Sequence, residues 1–255
     1  MRIPVLAELA TSLLLATCAS SNPSAPLGYS GEFTASAVLA RAIAAAGGDD
    51  RVRLPDSVHS RSRVTLIGAA NSPIEAELEY WAEGASRERR ELVTSDGHTL
   101  LQLVRDGRSL EIEDERITER DLATEFSDRC RYRSILADFA ADPRIRLVKD
   151  PQLDERTTIA LERSVAPDRR WQLWLDAATS RVIRIRRIST ANGRTTIDED
   201  LLDQQERFGG RWIARHQDTR RDGRPVKEAW LLEFDESCTI DPTLFDLDAA
   251  RAAAR

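Results

Sequence analysis

The sequence predicts a mainly β protein with helices, of the α+β class. It reads as an antiparallel meander of about eleven strands curled around one or two helices, with no demand that the sheet close on itself. Three observations carry this expectation. From Glu155 to Phe234, apolar segments (Ile159/Leu161, Trp171/Leu173/Leu175, Val182 to Ile188, Trp212/Ile213, Trp230 to Phe234) are separated by Pro167-Asp168, Asn192-Gly193, Gly209-Gly210 and Asp222-Gly223. Two-residue turns that match strand twist need φ > 0, which Gly, Asn and Asp supply at least cost, so these are hairpin signals. Secondly, Ile74, Ala76, Leu78 and Tyr80 alternate with Glu75, Glu77 and Glu79. That period of two puts one face of a strand in water and the other against a core or a cavity. Thirdly, the apolar period lengthens towards that of a helix in two places, near residues 34–46 and 118–139.

In chain order, Thr34 or Ser36 can cap a helix that places Val38, Leu39, Ala42, Ile43 and Ala46 on one face and ends at Gly47-Gly48. Strands are expected at 62–68, 74–82, 87–94, 99–105 and 109–113, with Asp96-Gly97 and Asp106-Gly107 as turns. From Thr118 to Phe139, Leu122, Phe126, Cys130 and Leu136/Phe139 fall near helical spacing, which predicts an amphipathic helix inserted in the meander, with Pro143 at its exit. Strands resume at 144–149 and run through the long hairpin stretch. Within it, Arg184 and Arg186 are expected on an exposed face and Ile183 and Ile185 on the other. Leu244 and Phe245 should tuck against the sheet edge, and the alanine-rich residues 246–255 should fray. No linker interrupts the chain after residue 31, so residues 34–245 read as one domain.

Of the 255 residues, 41% are hydrophobic and 31% charged, and the net charge is −6. An acidic balance with pI near 5.3 lacks the electrostatic footprint of a nucleic-acid binder. Arginine is used almost to the exclusion of lysine, Lys149 and Lys227 being the only two lysines. The arginines are scattered among 43 acids and make a mixed-charge surface rather than a basic patch.

The first 18 residues have the layout of an export signal, and residues 19–33, rich in Ser, Pro and Gly, that of a tether. Leu15-Ala16-Thr17-Cys18 has the form of a lipobox, in which the cysteine is acylated; Thr17 stands where Gly, Ala or Ser is usual, and Glu8 interrupts the apolar region. An ordinary cleaved signal and an uncleaved surface helix are the alternatives. The apolar run is shorter than the ~20 residues that a spanning helix requires. If Cys18 is acylated, Cys130 and Cys238 remain as an even pair that an oxidising compartment could join, or as two buried thiols.

The lipobox-like start, the Ala-rich first helix ending in Gly-Gly, the charged meander with a helix at its middle, and Leu173-Trp174-Leu175-Asp176 followed by Ala-Ala-Thr-Ser and Arg181-Val182-Ile183-Arg184 together resemble the periplasmic lipoprotein-carrier superfamily. That superfamily includes the LolA-type carriers, the outer-membrane acceptor LolB and the regulator RseB. The resemblance extends in outline over residues 34–245 and transfers no individual binding residue. It implies an unclosed half-barrel of about eleven strands lidded by two or three helices, with an apolar cavity for acyl chains of lipids or lipoproteins. It also implies a periplasmic or outer-membrane-associated location, with membrane attachment through a lipidated Cys18. The regulator branch adds a different expectation, an envelope protein partner in place of a lipid.

No nucleophile elbow, P-loop, dinucleotide fingerprint or zinc spacing occurs. His59, His98 and His216 read as strand-surface or turn residues. Glu111, Glu113 and Glu115, and Asp198 to Asp200, read as exposed acids rather than a metal site, and no cofactor is called for. A hydrolase built on dispersed carboxylates would leave no local signature. The remaining signal is aromatic. Tyr80, Trp171, Trp212 and Trp230, with Leu173, lie on expected strands whose alternate positions are often polar; they are candidates to line the concave side, the alternative being ordinary core. The sequence thus points to a non-enzymatic binding protein.

Overall fold

Turn chemistry sets the topology. Asn192 and Gly193 adopt φ of 51° and 74°, and Asp222 and Gly223 adopt 50° and 78°. Paired positive φ values are what a two-residue hairpin with the right strand twist requires. The computed structural model describes residues 29, 31–52, 56–67, 72–84, 86–114, 116–121, 135–149, 157–208 and 211–254, and within these the hairpins add up to one 13-stranded sheet. The first meander comprises β1 (Ser57–Ile67), β2 (Pro73–Glu83), β3 (Arg87–Thr94), β4 (Thr99–Arg105), β5 (Arg108–Glu113) and β6 (Arg116–Asp121). The second comprises β7 (Arg146–Val148), β8 (Thr158–Ala166), β9 (Arg169–Asp176), β10 (Val182–Ala191), β11 (Arg194–Phe208), β12 (Arg211–Arg221) and β13 (Arg224–Asp235). The spatial order is β6-β5-β4-β3-β2-β1-β13-β12-β11-β10-β9-β8-β7. The two meanders therefore meet only where β1 pairs with β13, and β6 and β7 are left as edges of an unclosed sheet.

Helix α1 (Ala35–Ala45) is capped by Thr34, whose Oγ1 accepts a hydrogen bond from the Ala37 amide at 3.2 Å. Its buried face of Val38, Leu39 and Ala42 packs with Val52 of α2 (Asp49–Val52) and with Ile135, Leu136 and Phe139 of α3 (Ile135–Ala140). Beneath these helices lie Ile159, Leu161, Trp171, Leu173, Leu175 and Ile185 of β8, β9 and β10. Each fully buried leucine in such a layer contributes about 1.5–3 kcal/mol relative to exposure. Helices cover one end of the concave face, as the hydrophobic stripe of α1 dictates.

Two element assignments change. Residues 118–121 are strand, not the start of a helix: β6 pairs with β5 from Arg108↔Asp121 to Glu113↔Arg116, and the open edge of β5 captures this charged segment before any helix begins. Ile135–Ala140 is helical as the spacing requires, while Leu122, Phe126 and Cys130 lie outside the described residues. The alanine-rich tail forms α4 (Leu247–Ala253) instead of fraying. Asp246 caps it by accepting from the Asp248 and Ala249 amides at 2.9 and 3.0 Å, and Leu247 packs against Leu103, Leu110 and Ile112 on the face of the sheet opposite Tyr80. Ala250 and Ala254 pack on the same cluster and Arg251 pairs with Glu119 of β6, tertiary contacts of the kind that so short a helix needs.

The outer face of β7 to β12 is covered by arginine. Register aligns Arg146, Glu162, Gln172, Arg186, Glu199 and Arg220 in one row across six strands. Arg146 Nε donates to Glu162 at 3.1 Å, Gln172 Nε2 donates to Glu162 at 2.8 Å, and Arg186 Nε donates to Glu199 at 2.6 Å. A bulge between Val182 and Arg184 makes Ile183 the extra residue and sets Arg184 and Arg186 over Trp174, their Cζ atoms 4.0 and 4.3 Å from its ring centre. Trp174 is 0% exposed and Arg186 only 8%, so this face is not the open one that simple alternation predicts. Stacked guanidinium planes do here what a second layer of structure would do elsewhere.

Candidate functional site

Between the helices and the seam of the two meanders the concave side is not filled. A cavity of about 410 Å³ opens there, within the range of about 300–1,000 Å³ usual for small-ligand sites. Its roof is Ala42, Ala45 and Ala46 of α1, Val52 of α2, and Ile135 and Leu136 of α3; the alanines leave the space that larger side chains would take. Its floor is Val58 and Ser60 of β1, Tyr80 of β2, Ile185 of β10, Leu202 of β11, Ile213 of β12 and Phe234 of β13. Register explains the grouping, since Ser60 pairs with Phe234 on one side and with Tyr80 on the other. Arg181, Arg211 and Trp212 also line it. Trp212 is 37% exposed, one of the large hydrophobic residues left open to solvent, and the Arg181 guanidinium stacks 3.4 Å from its ring centre. These residues form the mouth.

The cavity is mostly apolar, with polar groups at the Arg181 and Arg211 mouth, at Gln205 and Gln217, and at an end marked by Asp200. Among the described lining residues Asp200 is the only carboxylate, and it is itself buried. Arg187 Nη2 donates to its Oδ2 and Thr219 Oγ1 to its Oδ1, both at 2.8 Å. Lys227 stands beside Thr219 in the register of β12 and β13. Its ammonium is held below the ordinary lysine pKa, chiefly by burial; Arg90 and Arg187 add to the effect and Asp200 opposes it.

The residues singled out from sequence separate into three groups. Tyr80 and Trp212 line the cavity. Trp171 and Leu173 are packed in the core under α1 and α3, 6% and 0% exposed, and are absent from the described lining. Trp230 lies on the opposite face, its ring 4.3 Å from that of His216 and its Nε1 donating to Glu228 at 3.1 Å. A bulge accounts for this. Arg61 pairs with Glu233 but Ser62 with Leu231, so Leu232 is the extra residue and the alternation reverses between Phe234 and Trp230. The acids Asp198, Glu199 and Asp200 do not cluster; they answer Arg221, Arg186 and Arg187 respectively. Cys18 and Cys130 lie outside the described residues, and Cys238 is a half-buried thiol whose carbonyl accepts from Ser57 Oγ at 2.7 Å. Among the described residues, no group of three or more His, Cys, Asp or Glu could hold a metal ion, and no helix is long and apolar enough to cross a membrane. The polar end around Lys227, and the alanine roof, carried no sequence signal beyond the small residues at Ala42, Ala45 and Ala46.

An unclosed antiparallel half-barrel with helices over one end of its concave face defines a class of fold built around an internal hollow. No family model and no curated protein matches the sequence. Solved structures similar over most of the chain include three at 12% identity. A protein of the DUF1329 family from Desulfovibrio piger has a TM-score of 0.58, with 84% of this chain and 97% of that one covered. A domain assigned as an outer membrane lipoprotein-sorting protein from Vibrio parahaemolyticus has 0.54, covering 85% and 99%. A LolA superfamily protein from Nitrosomonas europaea has 0.53, covering 86% and 100%. The chain has the fold of the LolA superfamily structures.

Proposed function

We propose that this protein is an exported, non-enzymatic binding protein of the bacterial cell envelope that holds the acyl chain of a lipid or lipoprotein. It would be anchored to the membrane through an acylated Cys18. The observation that carries this reading is the helix-roofed apolar cavity of about 410 Å³ with Trp212 at its mouth. At ~0.8 kcal/mol per buried CH₂, a chain of about 14 to 16 carbons offers a gross ~11–13 kcal/mol before ordering costs, so apolar walls suffice without a dedicated polar motif. The likeness of fold to a protein assigned to lipoprotein sorting supports an acyl cargo. Both oxygens of Asp200 are taken by Arg187 and Thr219, which argues against a carboxylate pair working across the hollow.

The test is native mass spectrometry of the protein purified after export from a bacterial host, followed by lipid analysis of what denaturation releases. A stoichiometric adduct of acyl-lipid mass is the expected result. A bare protein that also takes up no added fatty-acyl probe would sink the reading and favour recognition of an envelope protein partner.

A further inference from the structure

The polar end of the concave face carries a charge with which no described residue makes a direct ion pair. Lys227 makes no side-chain hydrogen bond or ion pair with another described residue. Its nearest acid on the same row is Asp200, reached through the pairs Thr219↔Lys227 and Asp200↔Thr219, and both oxygens of that acid are already engaged. Arg187 comes to the same place from β10. Arg90 comes from β3, with its Cζ 5.5 Å from the ring centre of Tyr80 and its guanidinium on Glu88. Three cations thus share the region with two carboxylates, each of which already has an arginine. Asp200 and Tyr80 also line the cavity, so this cluster adjoins the space under the helices.

A lysine kept only for solubility sits best with its ammonium in bulk water. Here partial burial together with two guanidinium groups outweighs the attraction of Asp200 and makes the charged form costly. An incoming anion gains from all three cations, and a charge-assisted hydrogen bond to Lys227 would replace the part of its solvent that folding has removed.

We propose that Lys227, flanked by Arg187 and Arg90, forms an anion subsite at the edge of the cavity and takes the carboxylate or phosphate headgroup of an amphiphile whose chain lies under α1 and α3. The proposal rests on the acyl-chain reading and narrows it to anionic amphiphiles.

Its test compares the binding of palmitate, hexadecyl phosphate and hexadecanol to the full chain, each below its micelle-forming concentration, in the wild type, Lys227→Met and Lys227→Arg. Methionine keeps the apolar stem and removes a poorly solvated charge, and an unchanged or higher melting temperature verifies that the variant folds. In the wild type both anions should bind about tenfold more tightly than the alcohol. Lys227→Met should erase that preference and leave hexadecanol unaffected, while Lys227→Arg should retain it. The stronger of the two anions then tells a phosphate headgroup from a free fatty acid. Equal affinity for all three ligands, or a preference that survives in Lys227→Met, overturns the subsite and leaves the acyl cavity standing. Failure of all three to bind overturns both.

Discussion

The guanidinium of Arg186 lies 4.3 Å from the ring centre of Trp174 while its Nε donates to Glu199 at 2.6 Å, so one side chain covers an indole and closes a cross-strand ion pair. Arg186→Ala would uncover a fully buried tryptophan and leave Glu199, itself 13% exposed, with less than its present partners. Removing one partner of a buried pair costs about 3–5 kcal/mol, and the low end applies at the margin of a sheet face. Urea unfolding should show a loss of about 3 kcal/mol, accompanied by a red shift of tryptophan emission.

Phe139 is 0% exposed and belongs to α3, which roofs both the core and the cavity. Phe139→Ala should cost about 3–5 kcal/mol and weaken uptake of a fatty-acyl probe, because the helix that carries Ile135 and Leu136 loses its deepest anchor. Stability unchanged within about 0.5 kcal/mol would mean that α3 is held by something other than this packing.

Trp212 and Trp230, on opposite faces of the sheet, should behave differently. Trp212 lines the mouth and Trp230 lies on the far face, so Trp212→Ala should reduce binding of a fatty-acyl probe several-fold while Trp230→Ala leaves it unchanged. Fluorescence titration with a brominated acyl chain reads this directly, since the quenching contributed by the mouth should vanish only in the first variant.

His216 provides a pH signature. Burial disfavours its protonation, but hydrogen bonds to Glu228 (2.9 Å) and Asp203 (2.8 Å) outweigh that effect and raise its pKa above the ordinary imidazole value. A raised folded-state pKa means the stabilisation is fully present below the unfolded value and is lost as pH rises through the folded one. Denaturation midpoints should therefore fall across that window in the wild type, and His216→Gln should flatten this part of the profile. An NMR titration placing the His216 pKa at or below that of a free imidazole would contradict the assignment.

Strand existence was legible wherever alternation was clean and turns were chemically explicit. The expected limits of β3 and β4 coincide with those observed, and β2 and α1 fall within a residue or so of theirs, because a glutamate-flanked alternation and a Thr34 cap followed by Gly-Gly leave little freedom. The facing of side chains was less legible. A bulge adds one residue without any mark in composition, and those at Leu232 and Ile183 reversed the side on which Trp230 lies and placed Arg184 over Trp174. β6 was missed because a short charged strand is chosen by the neighbouring edge and not by its own residues. The Lys227 cluster was invisible for a related reason: Arg90, Arg187 and Lys227 come from three strands far apart in the chain and meet only through pairing across the seam.

That seam has a kinetic consequence. Every strand pairing except the one at the seam joins neighbours in sequence, whereas β1 must find β13, as in the contact of Arg61 with Glu233, 172 positions away. Closing so long a loop costs entropy before any contact repays it. Each half can zip by local hairpins, but the surface on which Ser60, Tyr80 and Phe234 meet exists only after the last strand has arrived. A chain still being made therefore has no assembled hollow, and acquires one only when β13 has been synthesised and has paired with β1.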